Sequence, residues 1–179
     1  MRGLFRSASG ATIKNLTVQT NGFDVDTSTY DGKKFGAGVL VGTTNGGLSV
    51  ENCIVEGELG TDEIPCAHTT AGIIANIDLP ADGGSARSTY VVKNCTSRVN
   101  MKSTRKAGGI IGFAEDDIVL ENVKNEGLVA RVTSSHPSRT GDATRGDDAV
   151  GGIVGYGNHN QNSHHPVYML GGLENSGDI

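Results

Sequence analysis

The sequence predicts an all-β fold, a parallel β-solenoid (β-helix) of about five irregular coils with long loop insertions. Three observations lead to this prediction. Two short phrases alternate along the chain, glycines recur at fixed places within them, and the aliphatic runs between the glycines are too short and too β-branched for helices. Five unequal copies, spaced roughly 30–45 residues apart, are typical of stacked modules rather than of one closed globule.

The first phrase is an aliphatic pair flanked by glycine. Its copies are Gly3 to Phe5, Gly38 to Gly42, Gly72 to Ile74, Gly108 to Gly112 and Gly151 to Gly155. The chain has 27 glycines in 179 residues, and no three-residue period that would indicate collagen. We therefore interpret the recurring glycines as tight corners and close backbone approaches.

The second phrase is an aliphatic residue, a spacer and an asparagine, and its copies align in three columns. One apolar column contains Ile13, Val50, Val92, Leu120 and Leu170. The other apolar column contains Leu16, Cys53, Cys95, Val123 and Leu173. The asparagine column contains Asn15, Asn52, Asn94 and Asn122. We expect the apolar columns to stack inward about 4.8 Å apart and the asparagines to form a ladder of amide hydrogen bonds, which Gly172 ends in the last coil.

These phrases resemble the GLUG-type repeat of bacterial cell-surface and secreted proteins. In that repeat, Gly-Gly-aliphatic-aliphatic-Gly is followed by aliphatic-x-Asn-Cys and an Asn-x-Gly corner. The best matches here are Gly108 to Gly112, Leu120 to Gly127, Gly151 to Gly155 and Asn175 to Gly177, with weaker copies over nearly the whole chain. The resemblance implies an extracellular scaffold, as in adhesins and the non-catalytic regions of some immunoglobulin A peptidases. It carries over no catalytic residue.

Charge and hydropathy limit the classes of partner. The net charge of −5, with both signs interspersed, disfavours nucleic acid, and no apolar stretch approaches the roughly 18 residues that insertion in a membrane requires. We interpret residues 1–179 as a single solenoid segment of a longer repeat protein. Terminal strands near Phe5 and Ile179 would carry unpaired backbone groups, so the expected partners are neighbouring coils of that protein or copies of the chain joined end to end. A host or surface ligand is left unidentified.

No cofactor or metal site is expected. Residues 24–32 resemble a calcium loop, but Thr29 and Phe35 stand where an EF-hand needs glycine and glutamate. Two further polar segments are interpreted as solvated loops, because they lack a convergent ligand set. They contain Asp142, Asp147 and Asp148, and His159, His164 and His165.

The three cysteines do not indicate a disulfide framework, because their number is odd. Cys53 and Cys95 share a column, where a spacing near 4.8 Å would tolerate a disulfide. We favour two buried thiols that act as small apolar residues. Cys66 is placed in a connection, outside any disulfide.

The predicted function is that of a non-enzymatic structural or adhesive module, extracellular or on the cell surface, that serves as a stalk or as a filament subunit. Lys14, Glu51, Lys93 and Glu121 share one outward position, where alternating signs indicate cross-strand ion pairs rather than a catalytic dyad.

Two alternatives stay open. A β-helix polysaccharide lyase or hydrolase is less favoured because aromatic residues are scarce, and an ice-binding solenoid is the least favoured because threonines do not recur in one column. Any ligand is expected on the long insertions, because binding in solenoids concentrates on loops. These insertions are 19–35, 76–90, 130–149 and 156–168.

Overall fold

In a computed structural model, the chain is an all-β parallel solenoid, which confirms the predicted fold class. The structure describes residues 2–22, 36–66, 69–78, 88–132, 149–157 and 168–179. These residues contain 18 strands and no helix. Within the same ranges there is consequently no helix with the length and apolar character needed to span a membrane.

The strands divide into five coils that follow one another along the chain. Coil 1 contains β1 (Phe5–Ser7), β2 (Ala11–Lys14) and β3 (Thr17–Asn21). Coil 2 contains β4 (Gly36–Gly38), β5 (Val41–Thr44), β6 (Leu48–Glu51) and β7 (Ile54–Leu59). Coil 3 contains β8 (Thr69–Ala71), β9 (Ile74–Ile77), β10 (Thr89–Lys93) and β11 (Thr96–Ser103). Coil 4 contains β12 (Ala107–Gly108), β13 (Ile111–Ala114), β14 (Asp117–Asn125) and β15 (Val129–Arg131). Coil 5 contains β16 (Val150–Gly151), β17 (Val154–Gly157) and β18 (Tyr168–Asn175).

The coils stack so that equivalent strands form three parallel sheets. One sheet has the order β4-β8-β12-β16, and a second has the order β1-β5-β9-β13-β17. The third is nine-stranded because β14 is long enough to pair with both β10 and β11, and it includes the rows β2-β6-β10-β14 and β3-β7-β11. β15 pairs with β11 and β18 with β14. Each sheet therefore takes its strands from successive coils in order.

The strand register reproduces the first predicted apolar column. Ile13 pairs with Val50, Val50 with Val92, Val92 with Leu120, and Leu120 with Leu170. The first four side chains are buried, whereas Leu170 in the last coil is half exposed. The column is therefore an inward ladder through coils 1 to 4, and its last member lies at the open end of the stack.

The second apolar column is also continuous from coil to coil. The N–H of Ile54 donates to the Leu16 carbonyl at 2.8 Å, and the N–H of Thr96 donates to the Cys53 carbonyl at 2.9 Å. The N–H of Lys124 continues the series by donating to the Cys95 carbonyl at 2.9 Å, and Val123 pairs with Leu173 in the register. Cys53, Cys95 and Val123 are buried in the core between the sheets.

The glycine-flanked phrase supplies the opposite wall of the core. In the second sheet, Val41, Ile74, Ile111 and Val154 are register partners in successive coils. Val41, Ile74 and Ile111 are fully buried, as are their chain neighbours Leu40, Ile73 and Ile110, whereas Val154 in the last coil is partly buried. Aliphatic side chains from the two phrases thus meet in a single interior.

Glycine is required where a polar side chain from the opposite side of the coil contacts the backbone of the glycine-flanked phrase. A Cβ atom on Gly109 would overlap the side chain of Asn125 and the carbonyl oxygen of Gly152. The same overlap recurs one coil earlier, between Gly72 and the side chain of Ser97. The predicted close approaches are therefore present, and two of them are contacts with an opposite side chain.

We predict that Gly109→Ala destabilises the fold by about 3 kcal/mol or more, because its new methyl group meets backbone as well as a buried amide. Gly171→Ala is the matched control, since a Cβ at Gly171 meets nothing within 4 Å. The control should change the free energy of unfolding by less than about 1 kcal/mol, in the direction of stabilisation. Urea unfolding of both variants measures the difference, and equal effects would contradict the close approach.

Candidate functional site

The four column asparagines form a hydrogen-bonded ladder on the outer surface. Asn52 Nδ2 donates to Asn15 Oδ1, Asn94 Nδ2 to Asn52 Oδ1, and Asn122 Nδ2 to Asn94 Oδ1, each at 3.2 Å. Asn52 and Asn94 thus each donate to the coil before them and accept from the coil after them. This single direction gives the ladder a polarity along the solenoid axis.

The backbone at these asparagines explains why this residue type occupies the column. Asn15, Asn52, Asn94 and Asn122 all have positive φ, between 51° and 58°. This left-handed conformation forms the corner that follows β2, β6 and β10 and bends β14. Asparagine enters the left-handed region more readily than most residues with a side chain, so one residue makes both the corner and the ladder contact.

The ladder ends at coil 4, as the substitution by glycine predicts. Gly172 keeps the corner conformation, with φ of 63°, but has no side-chain amide that could form the ladder hydrogen bond. Asn122 Oδ1 occupies the space that a Cβ atom on Gly172 would take. The link between coils 4 and 5 therefore has the corner without the side-chain contact.

We predict that Gly172→Asn raises the free energy of unfolding by about 0.5–1 kcal/mol, because it extends the ladder and restricts the unfolded chain. The Asn122 side chain has to shift to admit the new Cβ atom, and its Oδ1 then accepts from the new amide as Asn94 Oδ1 accepts from Asn122. Gly172→Ala is the control, and it should cost about 1–2 kcal/mol because alanine is strained at positive φ. Thermal unfolding of the two variants should move in opposite directions from wild type. A lower melting temperature for Gly172→Asn would contradict the interpretation that the ladder lacks one hydrogen bond at Gly172.

A second pair of amides joins coils 4 and 5, through Asn125, which is buried, and Asn175, which is exposed in the last coil, and sequence reasoning missed it. Asn125 Nδ2 donates to Asn175 Oδ1 at 2.9 Å and to the carbonyl of Gly127 at 2.8 Å. Asn175 Nδ2 repeats the second contact with the carbonyl of Gly177 at 3.1 Å. The repeated Asn-x-Gly corner was the available signal, because the asparagine closes this turn on the glycine carbonyl.

The outward charge column is paired between coils, as predicted for two of its steps. Lys14 Nζ lies 3.0 Å from Glu51 Oε2, and Lys93 Nζ lies 2.7 Å from Glu121 Oε2. The hydrogen bond from Lys14 lowers the pKa of Glu51, and the hydrogen bond to Glu121 raises the pKa of Lys93. Lys124 adds a further pair, at 2.9 Å from Glu174 in coil 5. These exposed pairs favour the in-register arrangement weakly.

The cysteines are buried thiols, and none of the three forms a disulfide. The Cys95 thiol donates to the Lys93 carbonyl at 3.0 Å, and Cys95 Sγ accepts the N–H of Cys53 at 3.4 Å. Burial raises the pKa of Cys95 from its ordinary value of 9.0 to about 11. Cys66 lies in the connection between β7 and β8 and outside any disulfide, as predicted. It is buried there, at 1% exposed, and forms an isolated parallel bridge with Ser103.

We predict that the native thiols react with an aromatic disulfide reagent only through unfolding. At pH 8 the rate should match the unfolding rate, and urea should release all three thiols together. Because the folded pKa of Cys95 is raised, the folded protein holds more protons than the unfolded chain between pH 9 and about 11, so stability should fall as the pH rises through that window. Rapid labelling of one thiol in the native protein would contradict the burial.

The side chain of Lys106 lies over a pair of stacked aromatic rings. The rings of Phe113 and Tyr156 stack at 5.8 Å, and Lys106 Nζ lies 4.2 Å and 4.3 Å from their centroids. Sequence reasoning did not pair Lys106 with an aromatic ring. The contact was missed because Phe113 and Tyr156 are register partners from different coils.

Both ends of the described stack are open. Seven large apolar residues are exposed in the described ranges, and only Ile64 lies outside the terminal coils and the residues after β18. The other six are Leu4, Phe5, Tyr168, Leu170, Leu173 and Ile179. At coil 1, an open groove of about 420 Å³ lies beside Leu4, Val18 and Val39, with Arg2 and Arg6 at its edge.

Most of the long insertions, and all three segments considered for metals, lie outside the described residues. The segments considered for metals are 24–32, the acidic loop with Asp142, Asp147 and Asp148, and the loop with His159, His164 and His165. In the part of the chain that the structure describes, no group of three or more His, Cys, Asp or Glu side chains is placed to hold a metal ion.

Comparison with protein-family models, with curated proteins and with solved structures found no match for this chain. The resemblance to the GLUG-type repeat therefore stays a proposal from the sequence. The functional argument depends on the ladders that join successive coils.

Proposed function

We propose that this chain is a non-enzymatic structural or adhesive repeat module of the GLUG type, outside the cell or on its surface, that acts as a section of a stalk or as a filament subunit. The observation that carries the proposal is the in-register stacking of five coils, joined by an asparagine ladder from coil 1 to coil 4. A stack of this kind can be lengthened by adding coils without a new core.

The interactions between coils support a load-bearing role. Backbone hydrogen bonds, the asparagine ladder and the Lys14–Glu51 and Lys93–Glu121 pairs all join one coil to the next. They therefore act along the solenoid axis, which is the direction in which a stalk or filament extends. Each coil adds about 4.8 Å to that axis.

The described residues do not support either alternative, a polysaccharide lyase or hydrolase or an ice-binding solenoid. A polysaccharide lyase or hydrolase needs carboxylates that act together, whereas Glu51 and Glu121 each contact a lysine. An ice-binding face needs threonines above one another. Thr43 is instead the register partner of Asn76, and Thr70 pairs with Ala107.

We predict that antibodies raised against the purified chain label intact cells of the source organism, and that mild protease treatment of those cells removes the label. A cytosolic protein, labelled only after lysis, is the matched control for cell integrity. The purified chain should show no turnover in a screen of uronate and neutral glycans. Labelling that requires lysis would overturn the extracellular location, and turnover of any glycan would overturn the non-enzymatic role.

A further inference from the structure

We propose that Asn45 is a site of spontaneous covalent modification, at which the backbone nitrogen of Gly46 displaces the side-chain amide with the help of the Ser9 hydroxyl. The product is an aspartate or an isoaspartate at position 45. The reaction needs only water, so this inference goes beyond the proposed function and does not rest on it.

The described residues contain two Asn-Gly dipeptides, and the structure places them differently. Asn45 and Gly46 lie outside the strands, in the exposed corner between β5 and β6. Asn21 is the last residue of β3 and pairs with Glu58 of β7. A glycine after asparagine favours the reaction, because no Cβ atom obstructs the approach of its nitrogen to the asparagine side chain. The ladder holds Asn21 in an extended conformation, whereas the corner leaves Asn45 able to react.

The nucleophile is the backbone nitrogen of Gly46. Its N–H makes no hydrogen bond with any residue that the structure describes, although the Gly46 carbonyl accepts the N–H of Gly10 at 3.0 Å. A Cβ atom at Gly46 would come no closer than 3.4 Å to the Ser9 side chain. The nitrogen is therefore outside the hydrogen-bonded ladder, and the position has room for an alanine.

The electrophile is the side-chain carbonyl of Asn45, which Ser9 contacts from coil 1. Ser9 Oγ donates to Asn45 Oδ1 at 2.8 Å, and the N–H of Asn45 donates to Ser9 Oγ at 3.4 Å. A donor on this oxygen polarises the carbonyl group and stabilises the negative charge that develops on Oδ1 during the attack. The Ser9 hydroxyl therefore acts as an oxyanion donor.

The reaction balances as a hydrolysis in two stages. The Gly46 nitrogen gives its proton to solvent hydroxide and forms a bond to Asn45 Cγ, while the side-chain nitrogen takes a proton from water and leaves as ammonia. The resulting succinimide is a five-membered ring. Water then opens the ring at either carbonyl carbon, which gives aspartate or isoaspartate.

The modification changes the chemistry of the corner and lies outside the three sheets. Thr44 pairs with Ile77, and the N–H of Asp78 donates to the Thr44 carbonyl at 2.9 Å, so Asp78 follows Asn45 in the same column. A new carboxylate at position 45 adds a negative charge beside this acidic residue. β5 and β6 keep their register partners on either side of the corner. The chain therefore stays folded, and the altered residue accumulates with the age of the molecule.

Timed incubation of the folded chain at pH 8 tests the site. A tryptic digest should show a mass increase of about 1 Da at Asn45, because ammonia is lost and water is added. Trypsin separates the two dipeptides, since Asn21 falls in 15–33 and Asn45 in 35–87. Asn45 should react at least tenfold faster than Asn21 in the folded chain, and the two rates should converge in urea. Asn45→Asp is the standard for the aspartate product, and a second peak of equal mass is isoaspartate.

Variants at Ser9 and Gly46 test the mechanism. Ser9→Ala should slow the reaction at Asn45 about three- to tenfold, which is the effect of one exposed hydrogen bond. Ser9→Thr keeps a hydroxyl and should restore most of the rate. Gly46→Ala should slow the reaction at least tenfold, because its methyl group obstructs the attack. The rate at Asn21 is the matched control, and it should stay unchanged in all three variants if the fold is intact.

Three outcomes would overturn the proposal. They are an Asn45 that stays intact in the folded chain but reacts in urea, an equal rate at Asn21 in the folded chain, and a Ser9→Ala variant that reacts as fast as the wild type. Cell labelling and glycan turnover decide the proposed function separately, because neither measurement depends on the state of Asn45.

Discussion

The structure depends on parallel, in-register hydrogen bonding between successive coils. Because side chains alternate across a strand, a shift of one residue would move every apolar column from the core to the surface. The pairs Ile13–Val50, Val92–Leu120 and Val123–Leu173 show one register held through all five coils. This constraint explains why the repeat keeps its aliphatic frame while the connections between phrases vary in length.

The asparagine column links side-chain chemistry to that register. A corner at positive φ must recur at the same point of each coil, and the amide can bond only when the corners lie above one another. A slipped coil would lose the ladder contact and the buried aliphatic contact together. Gly172 separates the two roles, since it preserves the corner and gives up the bond. The corner is therefore the stricter requirement, and the ladder adds stability to it.

Sequence reasoning succeeded for contacts that run along the repeat and failed for those that cross it. Like residues at like positions predicted the two apolar columns, the outer ladder and the Lys14–Glu51 and Lys93–Glu121 pairs. The fit of Asn125 against Gly109 was not predictable, because these residues face each other from opposite walls. The burial of Cys66 depends in the same way on Ser103 in the next coil. Such contacts depend on which residues of a coil face each other across its interior, and the repeat period alone does not specify this.

The two ends of the stack differ for a reason that lies within the coil. All strands are parallel and all outer-ladder amides donate in one direction, so the solenoid has a polarity that no rotation onto itself removes. One register column consists of Val18, Val55, Ser97, Asn125 and Asn175. It begins at coil 1 on an aliphatic side chain beside an open groove and ends at coil 5 on an amide. The first and last coils therefore present different side chains at the same column, although the strands keep one direction throughout. The regularity of the repeat thus sets the direction of every coil and lets the chemistry of a column change along the axis.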